Sequence, residues 1–343
     1  MMPPNPAPPS NKAPASAAAT KEAAAEAQAA APFADTTPSS AATASETADP
    51  VRKPGAAPRV IAVANQKGGV AKTTSAVSLG GALVRLNQEV LLVDLDAQAN
   101  LTLALGKDPS RMRGAITDVL FNAATILSVS RETSIPGLDL VPSNSGMDLA
   151  ERFLTVRQDH ELLLRQAIYS KPGDRSPNSS SAGSQPAQHL SPAPLEIYDT
   201  ILLDCPPSMG AVTLNALATA DLLVIPTQPE YFSAHALRAM MTAIRQVRSQ
   251  FNPDLQYRIL ITMMDRRNRI HRQVAEQIRS TFGQAVFETV IEIDTRLRES
   301  AVEGLPITHL NLHSRSAQQY DALAREITGL PASNQVKGSV PNG

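Results

Sequence analysis

The run VIAVAN (residues 60–65) passes through a glycine-rich turn, QKGGVAK (66–72), directly into TTSAVSLGGALVRLN (73–87). The first reads as a buried strand and the last as a helix, so the chain opens its folded part with a β-α unit. Further apolar runs follow at intervals: VLLVDLD (90–96), LDLVPS (138–143), TILLDCPP (200–207), DLLVIPT (221–227), YRILITMM (257–264) and AVFETVI (285–291). They are continuous rather than alternating, and helical stretches separate them. Strands apolar on both faces belong to a parallel sheet covered on both sides by helices. The expected fold is therefore α/β, a three-layer, doubly wound, mostly parallel sheet. Ligands in such folds bind at the carboxyl ends of the strands.

The apolar residues are unevenly spread along the 343-residue chain. The first fifty residues hold eighteen Ala and nine Pro, with Phe33 their sole member of the Leu, Ile, Val and Phe set. Such a segment cannot bury a core. Residues 1–58 are expected to form a disordered arm, 59–330 one α/β domain, and 331–343 a flexible polar tail. Within the domain, KPGDRSPNSSSAGSQPAQHLSPAP (171–194) has five Pro and no apolar period, which predicts an exposed, mobile insertion.

Several function classes fall early. No window approaches the roughly 18 unbroken apolar residues of a membrane span, and the start MMPPNPAPPS lacks the features of a secretory leader. A cytoplasmic protein is expected. Cys205 is the only cysteine, which excludes an intramolecular disulfide, a four-thiolate zinc site and cluster-ligating thiol pairs within one chain. Its expected place is a buried strand end. Net charge is −1, yet Arg238 to Arg298 holds eleven Arg against six acids. A local basic surface is compatible with the neutral average.

The densest chemistry lies in NQKGGVAKTT (65–74), between strand and helix. Successive backbone N–H groups of such a turn can point at phosphate oxygens, aided by the helix N-terminus. Lys72 would neutralise β/γ-phosphate charge, and the Thr73 hydroxyl would ligate Mg2+. The strict pattern G-x-x-x-x-G-K-[ST] fails, since Gln66 and Ala71 stand at its two glycine positions. A second lysine, Lys67, lies five residues before Lys72.

KGGVAKTT resembles the deviant Walker A motif, KGGxxK[ST], of the ParA/MinD ATPase superfamily. VLLVDLDAQANLT (90–102), YDTILLDCPPSMGAVTLNALATAD (198–221), IPTQPEYFSAHAL (225–237), ITMMDRRNR (261–269) and IDTRLRESAVEGLPI (293–307) resemble further ParA/Soj segments. Similarity runs from about Arg59 to Leu330. The resemblance implies a P-loop NTPase fold, slow ATP hydrolysis, and a phosphate cradle of Lys67, Gly68, Gly69, Val70, Ala71, Lys72, Thr73 and Thr74. Lys67 resembles the signature lysine that reaches the partner's phosphates in a nucleotide-sandwich homodimer. Asp96 matches the carboxylate that positions the attacking water, and Asp204 the acid that holds Mg2+ through water. Asp94, nearer its strand end, is expected to support the Mg2+ shell. Strand-end acids also cap following helices, and that alternative stands for all three, most strongly for Asp94.

Two departures from the family pattern bear on the loop. Ala71 replaces a glycine, and its Cβ is costly if φ there is positive. Ala97 stands where the family has Pro, which loosens the loop carrying Asp96.

ParA/Soj dimers bind DNA without sequence preference, and two positions implicated in that contact match Arg267 and Arg296. Arg266, Arg269, Arg272 and Arg298 lie beside them. Paired across a two-fold axis, such patches merge, and phosphate neutralisation makes binding salt-dependent. The alternative is a solvated helix face with i, i+4 partners such as Arg272 with Glu276. The resemblance also implies a ParB-like adaptor that stimulates hydrolysis, non-specific double-stranded DNA as partner, and nucleoid association. The cargo is a chromosome or plasmid, or alternatively a protein assembly such as a carboxysome or chemoreceptor cluster. A MinD-like membrane ATPase needs a C-terminal amphipathic basic helix, and this chain ends LPASNQVKGSVPNG, so no membrane partner is expected. An ATP-dependent amide ligase on the same scaffold remains a further alternative, to be told apart by its product.

Overall fold

A computed structural model describes residues 57–331 apart from 122, 158–159, 170–194 and 232. The expected insertion, nearly all of the expected arm and all but the first residue of the expected tail lie outside the described residues.

Eight strands form one sheet: β1 (Arg59–Val63), β2 (Val90–Asp94), β3 (Arg131–Glu132), β4 (Leu138–Val141), β5 (Thr200–Asp204), β6 (Leu222–Thr227), β7 (Gln256–Met264) and β8 (Val286–Glu292). Their spatial order is β3-β4-β2-β5-β1-β6-β7-β8. All pairings are parallel except that of β3 with β4. The short antiparallel β3 has too few residues to show any period and was not legible in the sequence.

The helices are α1 (Lys72–Val84), α2 (Asn100–Ala104), α3 (Ile116–Leu120), α4 (Ile126–Val129), α5 (Met147–Leu154), α6 (Leu163–Tyr169), α7 (Ala211–Thr219), α8 (Ser233–Gln250), α9 (Arg269–Phe282), α10 (Arg296–Val302), α11 (Ile307–Leu310) and α12 (Arg315–Thr328). Strand residues alternate between two cores, because successive side chains leave a strand on opposite faces. Val60, Ala62, Leu91, Val93, Ile201 and Leu203 pack with α3 to α9. Ile61, Val63, Val90, Leu92 and Leu202 pack with α1, α2, α11 and α12. That two-sided burial explains the unbroken apolar runs and gives the expected three layers.

Helix α1 carries two adjacent interior glycines, which weaken an isolated helix. Here they permit close approach. A Cβ on Gly80 would lie 3.1 Å from the Leu92 side chain, and one on Gly81 would lie 2.5 Å from Thr308 and 2.6 Å from Pro306. α1 thus sits tight against the sheet on one side and the α11 segment on the other, which holds its N-terminus at the end of β1.

Because β1, β2, β5, β6, β7 and β8 run the same way, their carboxyl ends share one edge. The residues singled out for chemistry lie at the ends of these strands, in the loops that follow them or in the first turns of the next helices.

Candidate nucleotide site

The loop between β1 and α1 is anchored at both ends. Asn65 is buried; its Nδ2 donates to the Pro226 carbonyl at 2.7 Å, and its Oδ1 accepts the Lys67 N–H at 3.0 Å. Further on, the Thr262 hydroxyl donates to the Val70 carbonyl at 3.1 Å. The loop is therefore tied to β6 and β7 as well as to its own flanks. Gly69 (φ 73°) and Ala71 (φ 65°) both adopt left-handed backbone, a feature of turns whose successive N–H groups form anion-binding concavities. The cost anticipated at Ala71 is thus present, about 1–2 kcal/mol for an L-residue in that region.

Lys72 begins α1 and is mostly buried, with Nζ donating to the Lys67 carbonyl at 3.2 Å. Burial lowers its pKa, and nearby Asp204 partly restores it. Asp204 closes β5 and is fully buried. Neither of its oxygens has a protein hydrogen-bond partner of good geometry, although the Thr73 hydroxyl and Lys72 lie near enough to pull its pKa down. Burial and the neighbouring Asp94 nonetheless push its pKa well above the usual carboxylate range. An orphaned, buried carboxylate beside a phosphate-type cradle is what a hydrated divalent cation would satisfy, so this donor set fits Mg2+.

Asp94 is differently employed. Its Oδ2 accepts the Thr102 hydroxyl at 2.7 Å and the Thr102 N–H at 2.8 Å, and its Oδ1 accepts the Asp96 N–H at 3.2 Å. Both oxygens are engaged in holding the β2–α2 connection, the anchoring alternative left open by sequence. Burial raises its pKa to about 6 against the pull of those hydrogen bonds. Asp96 sits in the connection itself, with Oδ1 accepting the Gln98 N–H at 3.0 Å. The strained position here is Ala99 (φ 52°), which the sequence did not mark.

A cavity of about 570 Å³ joins these parts. Gly68, Gly69, Ala71, Lys72, Thr73 and Thr74 line one end, with Asp96 and Pro207 beside them. The rest of the lining is mixed: Val77, Leu103, Ala104, Leu297, Ala301 and Leu305 are apolar, and Ser78, Asn100 and Ser300 are polar. A cavity that combines the loop's polar groups with an apolar wall suits a nucleotide. The apolar wall comes from α1, α2 and α10, which no local motif identifies.

Lys67 does not turn its charge into this cradle. Its Nζ lies 2.6 Å from Glu230 Oε2, on the connection between β6 and α8. Glu230, Asn65 and Thr262 were missed by sequence reasoning, and for Glu230 the separation of 163 residues explains why. Cys205 is buried at the end of β5 as expected, its thiol pushed up by burial.

The arginines gather on the same edge, past β7 and β8. The end of β7 is irregular: its register against β8 shifts twice, and Met263 has φ 51°. Such a bulge re-aims the following residues, here Asp265 to Asn268. Arg266, Arg267, Arg269, Arg296 and Arg298 are all exposed. Arg266 Nε meets Glu292 at 2.7 Å, joining the β7–α9 connection to the end of β8, and Arg267 Nε meets Asp265 at 3.3 Å. Arg272 donates to the Arg266 carbonyl at 2.5 Å, and no ion pair with Glu276 occurs among the described residues.

Comparison with known proteins bears on the family and the fold. Residues 58–171 and 187–257 match a family model described as an AAA domain. The chromosome partitioning protein ParA of Caulobacter vibrioides is 34% identical over 282 residues, covering 82% of this chain and 98% of that protein. The sporulation initiation inhibitor protein Soj of Bacillus subtilis is 34% identical over 270 residues, covering 78% and 98%. Among solved structures, cobyrinic acid a,c-diamide synthase from Mycobacterium smegmatis with bound ATP analogue and magnesium superposes with a TM-score of 0.64. It is 30% identical, covering 78% of this chain and 92% of that one. No helix among the described residues is long and apolar enough to cross a membrane.

Proposed function

The chain belongs to the ParA/Soj family of the ParA/MinD ATPases, ATP-hydrolysing proteins of partitioning and positioning, and from that premise we propose that it is an ATP-gated, DNA-binding dimer. Lys72 and the loop N–H groups hold the β- and γ-phosphates. Thr73 and Asp204 would hold Mg2+, with Asp94 keeping the adjoining loop in place. The ion would neutralise charge building on the phosphates. Asp96 orients the attacking water. Lys67 leaves Glu230 and serves the partner's phosphates, delivering a cation where charge develops in transfer. The Arg surface then holds duplex DNA through its backbone, and a ParB-like adaptor ends the bound state by stimulating hydrolysis. The cargo is chromosomal or plasmid DNA, and the site of action is the nucleoid.

The observation that carries this reading is shared placement. The cradle and the Arg cluster both open on the carboxyl edge of one parallel sheet, so pairing through the nucleotide edge brings two Arg clusters onto one assembly.

A DNA-retention titration with ATP, ADP or no nucleotide tests it, on wild type, Lys72→Ala, Lys67→Gln, Asp96→Ala and Arg267→Glu/Arg296→Glu. The expected pattern is retention with ATP alone, lost in both lysine variants and kept in Asp96→Ala. The double arginine variant binds ATP but not DNA. Retention independent of nucleotide overturns the gating.

A second reading, ATP-dependent amide synthesis, is favoured by the likeness to the diamide synthase. An ATP-dependent amide product would support it, whereas hydrolysis to ADP and phosphate alone supports the first reading.

A further inference from the structure

Glu292 closes β8 with a carboxylate that two arginines share. Oε1 accepts Arg266 Nε at 2.7 Å, and Oε2 accepts Arg315 Nη1 at 2.9 Å. Gln319 clamps the same residue from α12: its Nε2 donates to Oε1 at 3.2 Å, and its Oε1 accepts the Glu292 N–H at 3.0 Å. Arg315 also donates from Nη2 to the Ile293 carbonyl at 2.7 Å. The side-chain exposures are unequal: 13% for Glu292, 66% for Arg266 and 54% for Arg315. The acid is sunk beneath the two cations, and one carboxylate cannot cancel two guanidiniums. The two guanidiniums are the more exposed members of the trio. Asp294 completes the seam, accepting the Arg296 N–H at 3.1 Å and the Ser316 hydroxyl at 2.8 Å.

Helix electrostatics make the arrangement unfavourable for the helices themselves. α9 and α12 each begin with an arginine, Arg269 and Arg315, and neither has an acid in its first turn. Cations near a helix N-terminus oppose the macrodipole. The two helices lie on opposite faces of the sheet, but Arg266, just ahead of α9, and Arg315, which opens α12, meet at Glu292 on the sheet's edge, a placement of cations that an anion lying over it would offset.

We propose that Arg315 is a further phosphate-contacting residue of the DNA surface, with Glu292 as the residue that positions both Arg315 and Arg266. The inference rests on the DNA-binding reading above. The ligand is the backbone of duplex DNA, recognised by charge and by the fork of the guanidinium. The contact extends the surface from the β7–α9 and β8–α10 connections onto α12.

The test measures DNA affinity of the ATP-bound full chain against salt. Arg315→Ala is expected to weaken binding about tenfold and to lower the slope of log K against log salt by about one for each protomer engaged. Arg315→Lys should keep the slope. Arg325→Ala, the same charge change near the other end of α12, should leave both quantities near wild type. Adding Arg315→Ala to Glu292→Gln should cost much less than in wild type, because an unpositioned arginine has less to lose. Glu292→Asp serves if the Gln variant melts. Equal effects of Arg315→Ala and Arg325→Ala overturn the contact, and an undiminished effect in the Glu292 background overturns the positioning role. If Arg267→Glu/Arg296→Glu also leaves binding intact, the DNA reading itself has failed rather than this extension of it.

Discussion

Lys67 Nζ and Glu230 Oε2 lie 2.6 Å apart, although 163 residues separate them in the chain. The pair joins the phosphate loop to the connection after β6, and it engages in cis the lysine proposed to act in trans. Side-chain exposures of 28% and 43% keep the interaction modest, on the order of 0.5–1 kcal/mol. Because each of two protomers releases one such pair, Glu230→Gln should tighten ATP-dependent dimerisation by roughly five- to thirtyfold. Sedimentation velocity with a slowly hydrolysed ATP analogue measures this, and an unchanged or weaker dimer would show that Glu230 does not compete for Lys67.

Ala71→Gly relieves a left-handed alanine at the start of α1. The strain released, about 1–2 kcal/mol, exceeds the roughly 0.4–1 kcal/mol that glycine costs through the unfolded chain. A net gain of about 0.5 kcal/mol is expected, read as a small rise in thermal midpoint, with nucleotide binding and hydrolysis retained. Loss of nucleotide binding would refute the phosphate-loop assignment.

Gly81→Ala should behave in the opposite way. Its Cβ would meet Thr308 and Pro306 at 2.5 and 2.6 Å inside a packed layer, and overpacking of that kind costs about 1–3 kcal/mol. Gly68→Ala has open space around the new carbon and should cost less in stability. Chemical denaturation of both variants checks the order.

The buried acids make stability depend on pH in a stated direction. Asp94 titrates at about 6 when folded, against 3.8 when unfolded, so the folded chain binds the extra proton between those values. Stability is highest below about pH 4 for this group and falls as pH rises through 6, by about 3 kcal/mol in all. Asp204 is shifted the same way, and further. Without nucleotide and Mg2+, denaturation midpoints should fall from pH 4.5 to 7 in wild type and fall less in Asp204→Asn. Parallel curves for the two proteins would contradict the burial of a costly charge at Asp204.

The order of the main strands was legible because the central ones, β1, β2, β5 and β6, are buried on both faces and read as continuous apolar runs, whereas the short, partly exposed β3 was not. Lys72, Asp96 and Asp204 were legible because each stands where an apolar run ends or a glycine-rich turn closes. Met263 and Ala99 were not, since nothing in an alanine or methionine announces a positive φ that the surrounding packing imposes. The employment of Asp94 in holding Thr102 was equally hidden: an acid at a strand end has the same letter whether it faces a metal or a helix.

By itself, then, the amino-acid order determined the parallel α/β sheet, the phosphate loop and the existence of an Arg-rich segment. These depend on periodicity and on residues adjacent in the chain. The tertiary structure decided which distant charges meet: Glu230 with Lys67, Glu292 with both Arg266 and Arg315, and α10 with the apolar wall of the cavity. The physical reason is the strand order. A parallel sheet with β1 between β5 and β6 collects the loops after several strands on one edge, and that spatial order is written in long-range packing rather than in any local pattern.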